Sequence, residues 1–435
     1  MQKKEQNLEQ KSAKKKIVSA IFLVVIIVVS FVGGYFSRYI IHSKQTNTAT
    51  DIVSIIEKFG YILDENGKRK EFTQSDYANA LINGLLDEYS RYYTKEEYET
   101  KQKQSSGDMS GYGITIYSSE AYPSIIVQVV INSPAYHAGL KAGDIVVAIT
   151  KNGQETVIEN GKQLDDVIEN DTLGTEIALT IERNGQVLAQ NFTLVKSNYK
   201  KCYVEYYDSE RKMTFLQTDD SENLVQTEEG EELSLLDDDV ALIKLSSFEG
   251  QVAEQFQSAL EYMKSKNRTK LILDLRYNGG GFMDILEEVA GSLIYNGGKK
   301  TLVAHAKNKT ATEDFFVKNA KDNSFISRIA VLANEDTASA SECLIGAMLY
   351  YKEKFDISRL VIEKNDDGVA KTFGKGIMQT TYLMQDGGAF KLTTATIYQP
   401  DKNTTIHGKG IIAPNDNATE RGDSAVLRAV DTLKN

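Results

Sequence analysis

Between residues 241 and 363, short apolar segments alternate with amphipathic segments, and this alternation constrains the fold more than any other feature. The predicted strands and helices are, in order, VALIKLSSF, VAEQFQSALEYMKS, TKLILDLR, MDILEEVAGSLI, RIAVLAN, a helix after Ser339, and RLVIE. Such alternation is typical of a sheet with helices packed on its faces. KLILDL is apolar apart from one Asp, as in a central strand buried on both faces. The sequence therefore predicts a layered α/β core in a mixed α+β chain.

A second region, residues 111–196, has the shorter period of β-structure. Its strand-like stretches are GYGITIY, SIIVQVV, DIVVAIT and EIALTIERNGQVLAQNFTLV. Asn184-Gly185 is a hairpin turn signal, and SPAYHAGL predicts one short helix. This region predicts a small β-rich domain before the α/β core.

Residues 17–36, IVSAIFLVVIIVVSFVGGYF, carry no charged side chain. A helix of this length matches the roughly 30 Å hydrocarbon core of a bilayer. Lysines are concentrated in residues 1–16, so this basic tail is expected in the cytosol and the rest of the chain outside the cell. A cleaved signal peptide is the alternative, but its apolar region is normally shorter and no A-x-A-like site follows. We expect an uncleaved, single-pass anchor in the cell membrane.

The chain between the apolar segment and the β-rich domain divides into two parts. Residues 37–50 predict a polar linker, and residues 51–104 predict helices with apolar residues at helical spacing. Thr94 and Glu97 have the spacing of a capping box, which would start one of these helices.

Composition excludes several classes of function. The formal net charge is -11 and the pI about 5.2, so no broad basic face for nucleic acid is expected. Cys202 and Cys343 are too few for a disulfide framework or a zinc site, and we expect no metal and no cofactor. The acidic stretch 219–239 contains no Lys or Arg and predicts a solvated loop or hairpin. A calcium site is the alternative, but the EF-hand spacing is missing.

Ser339 has two interpretations. Ser339-Ala-Ser-Glu342 has the S-x-x-E spacing of a capping box, which is the usual role of such a pattern. A serine at the start of a helix could also be a nucleophile. The residues of this stretch alone leave both interpretations open.

The stretch RYNGGGF, residues 276–282, follows a predicted buried strand and precedes a helix. Glycines there can leave backbone N–H groups facing open space, as an oxyanion hole requires. A plain tight turn is the alternative. The spacing fits neither a phosphate loop nor a dinucleotide fingerprint.

A nucleophilic serine needs a partner that removes its proton. The chain has four histidines, of which His42 lies in the linker and His137 in the β-rich region. His305 and His407 lack a nearby motif and are expected to be structural or exposed. In KTFGKGIMQ, Lys375 lies between two glycines, and burial could lower the pKa of its amine enough for it to act as the base. A second Gly-Lys-Gly contains Lys409, but that stretch has Ala413 where the first has Gln379.

Six ordered motifs give the chain a specific resemblance. LDLRYNGGG, EDTASASE and TFGKGIMQ resemble the C-terminal processing peptidases, also called tail-specific proteases. LLDEYSRYYTKEEY resembles the segment before their PDZ domain, SGYGITI with VINSPAYHAGLKAGDIVVAI resembles that domain, and GKGIIAPND resembles their closing motif. The similarity covers roughly residues 75–420.

The resemblance implies a crotonase-like layered α/β protease core with an inserted PDZ domain. The PDZ domain would span residues 105–197 and the serine protease catalytic domain residues 198–435. The implied catalytic residues are the nucleophile Ser339, the base Lys375, and Gln379, which would orient the lysine. The implied oxyanion-hole donors are the N–H groups of Ala340 and of Gly279 or Gly280. The implied loop for a peptide carboxylate is Gly111, Tyr112, Gly113 and Ile114.

These features together predict a membrane-anchored serine endopeptidase that cleaves proteins near unstructured, free C-terminal tails recruited by its PDZ domain. A homo-oligomer is left open. One alternative is a catalytically inactive surface PDZ scaffold that binds C-termini; another is a crotonase-like acyl-transfer enzyme, although no acyl-CoA signature is evident. Three features depart from the family pattern. Ser339 and Lys375 are farther apart than usual, NGGG replaces NPGG, and the acidic stretch has no counterpart.

Overall fold

The structure is a computed structural model that describes residues 52–54, 56, 72–116, 118–217, 224–230 and 233–434. The predicted basic tail, transmembrane helix and linker lie outside these residues. Within the described ranges, no helix combines the length and apolar character needed to cross a bilayer.

The chain forms two compact units, with the boundary between Leu86 and Asp87. The described part of the first unit contains helix α1, Gln74–Leu85. Thr73 caps this helix, since its hydroxyl accepts the Asp76 N–H at 3.2 Å and the Asp76 carboxylate accepts the Thr73 N–H at 2.7 Å.

The second unit begins with strand β1, Arg91–Tyr93, and helix α2, Lys95–Ser106. The predicted capping box at Thr94 and Glu97 is confirmed, and α2 ends at Gly107, whose φ of 86° is left-handed. The expectation of helices throughout residues 51–104 is wrong at β1. This strand pairs with a strand near the other end of the chain, a partner that local periodicity does not reveal.

The β-rich region folds as predicted into strands with a short helix in SPAYHAGL, and it contains a second helix, Gly161–Ile168, that was not predicted. Its elements are β2 Asp108–Gly111, β3 Ile114–Ile116, β4 Ile126–Val129, α3 Pro134–His137, β5 Ile145–Lys151, β6 Gln154–Val157, α4 Gly161–Ile168, β7 Glu176–Arg183, β8 Gln186–Val187, β9 Phe192–Val195 and β10 Ser197–Lys200. β3 pairs with β4 and β2 pairs with β10, while β5 to β9 form one antiparallel sheet. Buried residues such as Ile126, Leu164 and Leu179 form a separate core for this domain.

The remaining elements form the α/β core and a second sheet. They are β11 Val204–Tyr207, β12 Lys212–Gln217, β13 Leu224–Gly230, β14 Val240–Leu245, α5 Val252–Ser265, β15 Lys270–Asp274, α6 Met283–Leu293, β16 Leu302–Asn308, β17 Thr312–Phe316, β18 Arg328–Ala333, α7 Ala340–Tyr351, β19 Leu360–Glu363, β20 Ile377–Leu383, β21 Ala389–Tyr398, β22 Ala418–Thr419 and α8 Asp423–Lys434, with short 3-10 turns at Ile357–Arg359 and Asn415–Asn417.

The predicted α/β core is confirmed. Its eight-stranded sheet has the order β13-β12-β11-β14-β15-β18-β19-β22, parallel from β14 to β22 and antiparallel from β11 to β13. Part of the acidic stretch forms β13 and pairs with β12, so a hairpin forms there.

Both faces of the central strands are buried. Ala241, Ile243 and Leu245 point to one face, where they join the core that includes α5, α6 and α7. Val240 and Leu242 point to the other face, which α8 covers. This two-sided burial explains the continuous apolar runs of the central strands.

A second, five-stranded sheet contributes buried residues of β16, β17 and β21, among them Val303, Phe315 and Ile397, to the same core. β21 is its longest strand and pairs antiparallel with β20, β1 and β16, and β16 pairs with β17. The loop between β19 and β20 contains Lys375, so this sheet positions the predicted base.

Candidate active site

Ser339 occupies the turn between β18 and α7, directly before the first residue of the helix. Its φ of 58° and ψ of -116° are unusual for a residue with a side chain. Such conformations are costly and concentrate at functional sites, including strand-to-helix turns that present a nucleophile. Ser339 is half-buried, whereas Ser341 is fully buried and its hydroxyl donates to the Asn278 carbonyl at 2.9 Å. Ser339 is therefore the more accessible of the two hydroxyls.

The glycine-rich loop packs directly against Ser339. Gly280 has φ +96°, and a Cβ added there would lie 2.7 Å from Ser339 Cβ and 2.9 Å from the Ala340 nitrogen. A Cβ on Gly281 would lie 2.2 Å from the Phe248 carbonyl oxygen. Glycine is thus required at both positions, because Ser339 approaches Gly280 and the Phe248 backbone approaches Gly281 too closely for any side chain.

Asn278 holds this loop and the turn before α7 together. Its side-chain amide donates to the Leu245 carbonyl at 2.9 Å, and its Oδ1 accepts the Gly280 N–H at 3.0 Å. Its carbonyl accepts the Ala338 N–H at 3.0 Å, in addition to the Ser341 hydroxyl. Asn278 is fully buried, so these bonds fix the loop relative to the nucleophile.

Two backbone N–H groups near Ser339 remain unengaged. Among the described residues, neither the Ala340 N–H nor the Gly279 N–H has a hydrogen-bond acceptor. The Gly280 N–H, in contrast, is committed to Asn278. Of the two glycines predicted as oxyanion-hole donors, Gly280 has its N–H hydrogen-bonded within the loop, and Gly279 has an N–H without an acceptor among the described residues.

The Glu342 carboxylate joins the start of α7 to the Lys375 loop. Its Oε2 accepts the backbone N–H of Ser339 at 3.0 Å and that of Lys375 at 2.9 Å. Its Oε1 accepts the Gly374 N–H at 2.8 Å and the Thr372 hydroxyl. Burial raises the pKa of Glu342, although these four hydrogen bonds act to lower it. The Ser339–Glu342 half of the predicted capping box therefore forms and also ties the helix to the loop.

The Lys375 amine is half-buried. Burial lowers its pKa, the nearby Lys391 lowers it further, and Asp87 opposes both effects. The amine lies over the Tyr89 ring, 5.0 Å from its centroid. Within the described part of the chain, no hydrogen bond joins the Lys375 amine to the Ser339 hydroxyl.

Gln379 is the first member of a polar chain. Its side-chain amide donates to the Thr393 hydroxyl at 3.2 Å, and Thr393 in turn hydrogen-bonds to Asp87. The Ser90 N–H and hydroxyl also donate to Asp87, at 2.9 and 2.8 Å. Burial raises the pKa of Asp87, but these bonds outweigh it and the net pKa is lowered. In the residues that the structure describes, Gln379 makes no hydrogen bond to Lys375.

The second Gly-Lys-Gly supports the first. The Gly408 N–H donates to the Gly374 carbonyl at 2.9 Å, and a Cβ on Gly374 would lie 2.8 Å from the Gly410 nitrogen. The side chain of Lys409 is exposed. The two Gly-Lys-Gly loops therefore pack against each other. Of their two lysines, Lys375 is partly desolvated and Lys409 is not.

His305 and His407 match their predicted structural or exposed roles. His305 is buried and pairs with Asp314, its Nδ1 lying 2.6 Å from Oδ1. His137 and His407 are exposed or partly exposed, and no described hydrogen bond links any of the three to Ser339. His42 lies outside the described residues. Cys343 is buried in the core as expected, which raises the pKa of its thiol to about 12.

The predicted carboxylate loop is built around a buried tyrosine. The Tyr112 hydroxyl donates to Asp171 at 2.6 Å, and a Cβ on Gly113 would lie 2.0 Å from Ser133 Cβ. Within the described ranges, β3, which begins at Ile114, pairs only with β4 and leaves its other edge open. Gly111 ends β2 and pairs with Ser197.

Sequence reasoning missed several residues of the site. They are Asp87, Tyr89, Asn278, Thr372 and Thr393, and Glu342 was considered only as a cap. The capping spacing could have indicated Glu342, because the pattern already placed its carboxylate at the helix start.

Comparison with known proteins shows which families this chain resembles. Residues 239–415 match the model of peptidase family S41, and residues 125–183 match a PDZ domain model. The probable CtpA-like serine protease of Staphylococcus aureus strain N315 is 28% identical over 406 residues, covering 91% of this chain and 70% of that protein. Residues 239–415 are therefore similar to peptidase family S41, and residues 125–183 to PDZ domains. The resemblance deduced from the motifs, to serine proteases of this family that carry a PDZ domain, is confirmed by these matches and by the relatives.

A second relative and two solved structures are also similar to this chain. The probable CtpA-like serine protease of Staphylococcus saprophyticus is 27% identical over 413 residues, covering 93% of this chain and 73% of that protein. Among solved structures, the photosystem II D1 C-terminal processing protease superimposes with a TM-score of 0.43 and 21% identity, covering 81% of this chain and 82% of that chain. The tricorn protease gives a TM-score of 0.38 and 14% identity, covering 84% and 33%. Because both TM-scores are below 0.5, the family assignment rests on the sequence matches alone.

Proposed function

We propose that this protein is a membrane-anchored S41 endopeptidase with a Ser339–Lys375 dyad that cuts proteins near free, unstructured C-terminal tails. One observation carries the dyad: the strained, accessible Ser339 and the half-buried Lys375 are attached through their backbones to the same buried carboxylate. The dyad needs no imidazole and no cofactor.

In the proposed reaction, the Ser339 hydroxyl attacks the scissile carbonyl carbon and passes its proton to the neutral Lys375 amine. The resulting ammonium returns that proton to the leaving amine as the C–N bond breaks. Water, deprotonated by the same lysine, then hydrolyses the acyl-enzyme ester. A lysine pKa lowered by burial supplies the neutral amine that both steps need.

The oxyanion formed on attack would be held by the N–H groups of Ala340 and Gly279. Both lack protein acceptors in the described residues, and Gly280 packs close enough to Ala340 to bring the two segments together. Ala340 is also the first residue of α7, whose dipole favours negative charge at this end.

The reaction requires the Lys375 amine, which lies over the Tyr89 ring, to come within hydrogen-bond distance of the Ser339 hydroxyl. Because Gln379 is hydrogen-bonded to Thr393, we assign it the role of positioning the polar side chains next to Lys375. A direct hydrogen bond between Gln379 and the Lys375 amine would form only once the amine has moved toward Ser339. Catalytic hydrogen bonds are often long or absent before substrate binds.

The PDZ domain would recruit substrate tails. The open edge of β3 can accept an extended peptide as an added strand, and the loop from Gly111 to Ile114 would bind its terminal carboxylate. Residues 17–36 would anchor the enzyme in the cell membrane, with the catalytic domain outside.

A cleavage assay tests this proposal. A folded protein with a disordered C-terminal tail is incubated with the wild type and with Ser339→Ala, Lys375→Met and Lys409→Met variants. We expect Ser339→Ala and Lys375→Met to lose at least about a thousandfold in activity, while Lys409→Met keeps wild-type turnover. Binding of the tail without cleavage by the wild type would favour the inactive scaffold instead.

A further inference from the structure

Two cations face each other across strands of the second sheet, next to the proposed base. Arg91 of β1 is the direct antiparallel partner of Lys391 of β21. Like charges placed directly opposite in a sheet are destabilising. A pair of like charges that weakens strand pairing without any compensating contact is a candidate for a functional role.

The pair lies on the face of the sheet that carries the active-site polar chain. Lys391 and Thr393 are two residues apart in β21, so their side chains point to the same face. The bond between Gln379 and Thr393 shows that this face is the one next to the site. Arg91, the cross-strand partner of Lys391, shares it. Lys391 is also near enough to Lys375 to lower its pKa.

Of the two cations, Arg91 has a carboxylate partner that is exposed to solvent, and Lys391 has none among the described residues. Glu97 lies 3.6 Å from Arg91, and both side chains are about half-exposed. Asp87 is bound by Ser90 and Thr393. Among the described residues, no carboxylate lies within ion-pair distance of Lys391.

The other nearby cation, Lys101, has an acidic partner. Its amine lies 3.9 Å from Glu249. Burial lowers the pKa of Lys391, and the charges of Lys101 and Arg91 lower it further, with Asp87 opposing. Lys391 is therefore a partly desolvated cation, accessible at an active site and without a described counter-ion.

We propose that Lys391 and Arg91 form an anion-binding subsite that takes a carboxylate of the substrate polypeptide beside the scissile bond. This assignment rests on the proposed peptidase function and adds a specificity to it. A substrate carboxylate would relieve the repulsion between the two cations and receive charge-assisted hydrogen bonds from both. The carboxylate could be the free C-terminus of the tail or an Asp or Glu side chain near the cleavage site.

Paired substrates distinguish these two sources. The first pair is a peptide without acidic residues, with a free or an amidated C-terminus; the second is an amidated peptide with Glu or Gln near the scissile bond. We measure kcat/KM for each with the wild type and with Lys391→Gln. The wild type is expected to favour the carboxylate member of one pair by roughly tenfold through KM, and Lys391→Gln to lose that preference.

Comparing the two peptides of one pair on the same variant cancels effects of the substitution that do not involve the substrate carboxylate. Lys391→Gln also changes the pKa of Lys375, but that change acts equally on both members of a pair. Lys391→Arg should restore the preference, and Lys95→Gln, which removes an exposed lysine paired with Glu99 at 4.0 Å, should leave it unchanged. An unaltered preference in Lys391→Gln for both pairs would overturn the subsite.

Binding to the Ser339→Ala variant separates this proposal from the proposed activity. Fluorescence anisotropy of the same labelled peptides reports the carboxylate preference without any cleavage. The PDZ domain also binds free carboxylates, so the C-terminal pair is compared between Ser339→Ala and Ser339→Ala with Lys391→Gln, which share an intact PDZ domain. Loss of preference only with Lys391→Gln supports the subsite even if cleavage by the wild type is never observed. Equal preference in both variants rejects it.

Discussion

The backbone N–H groups of Ser339 and Lys375 donate to one and the same oxygen, Oε2 of Glu342, at 3.0 and 2.9 Å. The two nitrogens therefore cannot be farther apart than the sum of these distances, although the residues lie on different elements. A single buried carboxylate thus sets the relative position of the proposed nucleophile and the proposed base. The exact length of the chain between them matters less, because the carboxylate holds both ends.

Glu342→Gln should weaken the link between the two residues. An amide nitrogen cannot accept, so Gln leaves either the Gly374 N–H, or both the Ser339 and the Lys375 N–H, without an acceptor, at a cost of about 1–3 kcal/mol in the free energy of unfolding for each lost acceptor. We expect kcat to fall by about ten- to a hundredfold with little change in KM, measured on a short peptide. Glu335→Gln, which removes only a surface pair with Arg421, is the control. Unchanged kcat in Glu342→Gln would contradict this role.

Gly280→Ala tests the close approach of the glycine-rich loop to the nucleophile. The new methyl group would lie 2.7 Å from Ser339 Cβ, so either the loop or the serine must move. We expect at least a hundredfold loss of kcat/KM, because displaced oxyanion donors cost this much. Gly297→Ala is matched in its positive φ, +57°, but meets open space, and it should keep most activity. Equal activity of the two variants would argue against the loop's role.

The pH dependence of activity should follow the neutral fraction of Lys375. The neutral amine is the reactive form, so kcat/KM rises with pH through the pKa of Lys375, which burial places below the ordinary lysine value. Lys391→Gln removes a like charge and should move this rise to higher pH. Asp87→Asn removes an opposing acid and should move it to lower pH. Shifts in the same direction for both variants would be inconsistent with Lys375 as the titrating base.

Gly113→Ala separates tail recruitment from chemistry. A methyl group there would meet Ser133 Cβ at 2.0 Å, which distorts the carboxylate loop of the PDZ domain. We expect at least a tenfold weaker affinity for a free C-terminal peptide, measured by anisotropy, with kcat on a short amidated peptide retained. Gly153→Ala has a similar positive φ and open space around it, so it should bind normally. Undiminished affinity in Gly113→Ala would place tail binding elsewhere.

The elements that the sequence predicted correctly are those with a strong local signal. The strands β14, β15, β18 and β19 and the helices α5, α6 and α7 follow the apolar periodicity because each buries its own regular face. The strands β16 and β17, which lie between α6 and β18, were not predicted. β1 was missed because its three residues become a strand only by pairing with β21. Its apolar content alone resembles that of the helices beside it.

The site divides in the same way. Ser339, Gly280 and Lys375 lie in conspicuous motifs, so their residue types and spacing indicated them. Tyr89 and Thr393 reach the site only through tertiary pairing, and no local pattern marks them. The sequence also could not show that the Gly280 N–H is consumed by Asn278, which depends on one side-chain rotamer.

The most direct test of the central claim is to trap the acyl-enzyme. The wild type, Ser339→Ala and Lys375→Met are mixed with an activated ester of a short peptide at neutral pH and quenched with acid, and the acylated residue is mapped by peptide mass spectrometry. If Lys375 must remove the Ser339 proton before the ester can react, Ser339 should carry an acyl group in the wild type and little or none in Lys375→Met. An acyl group on Ser341 or another residue, or full acylation of Ser339 without the lysine amine, would contradict it.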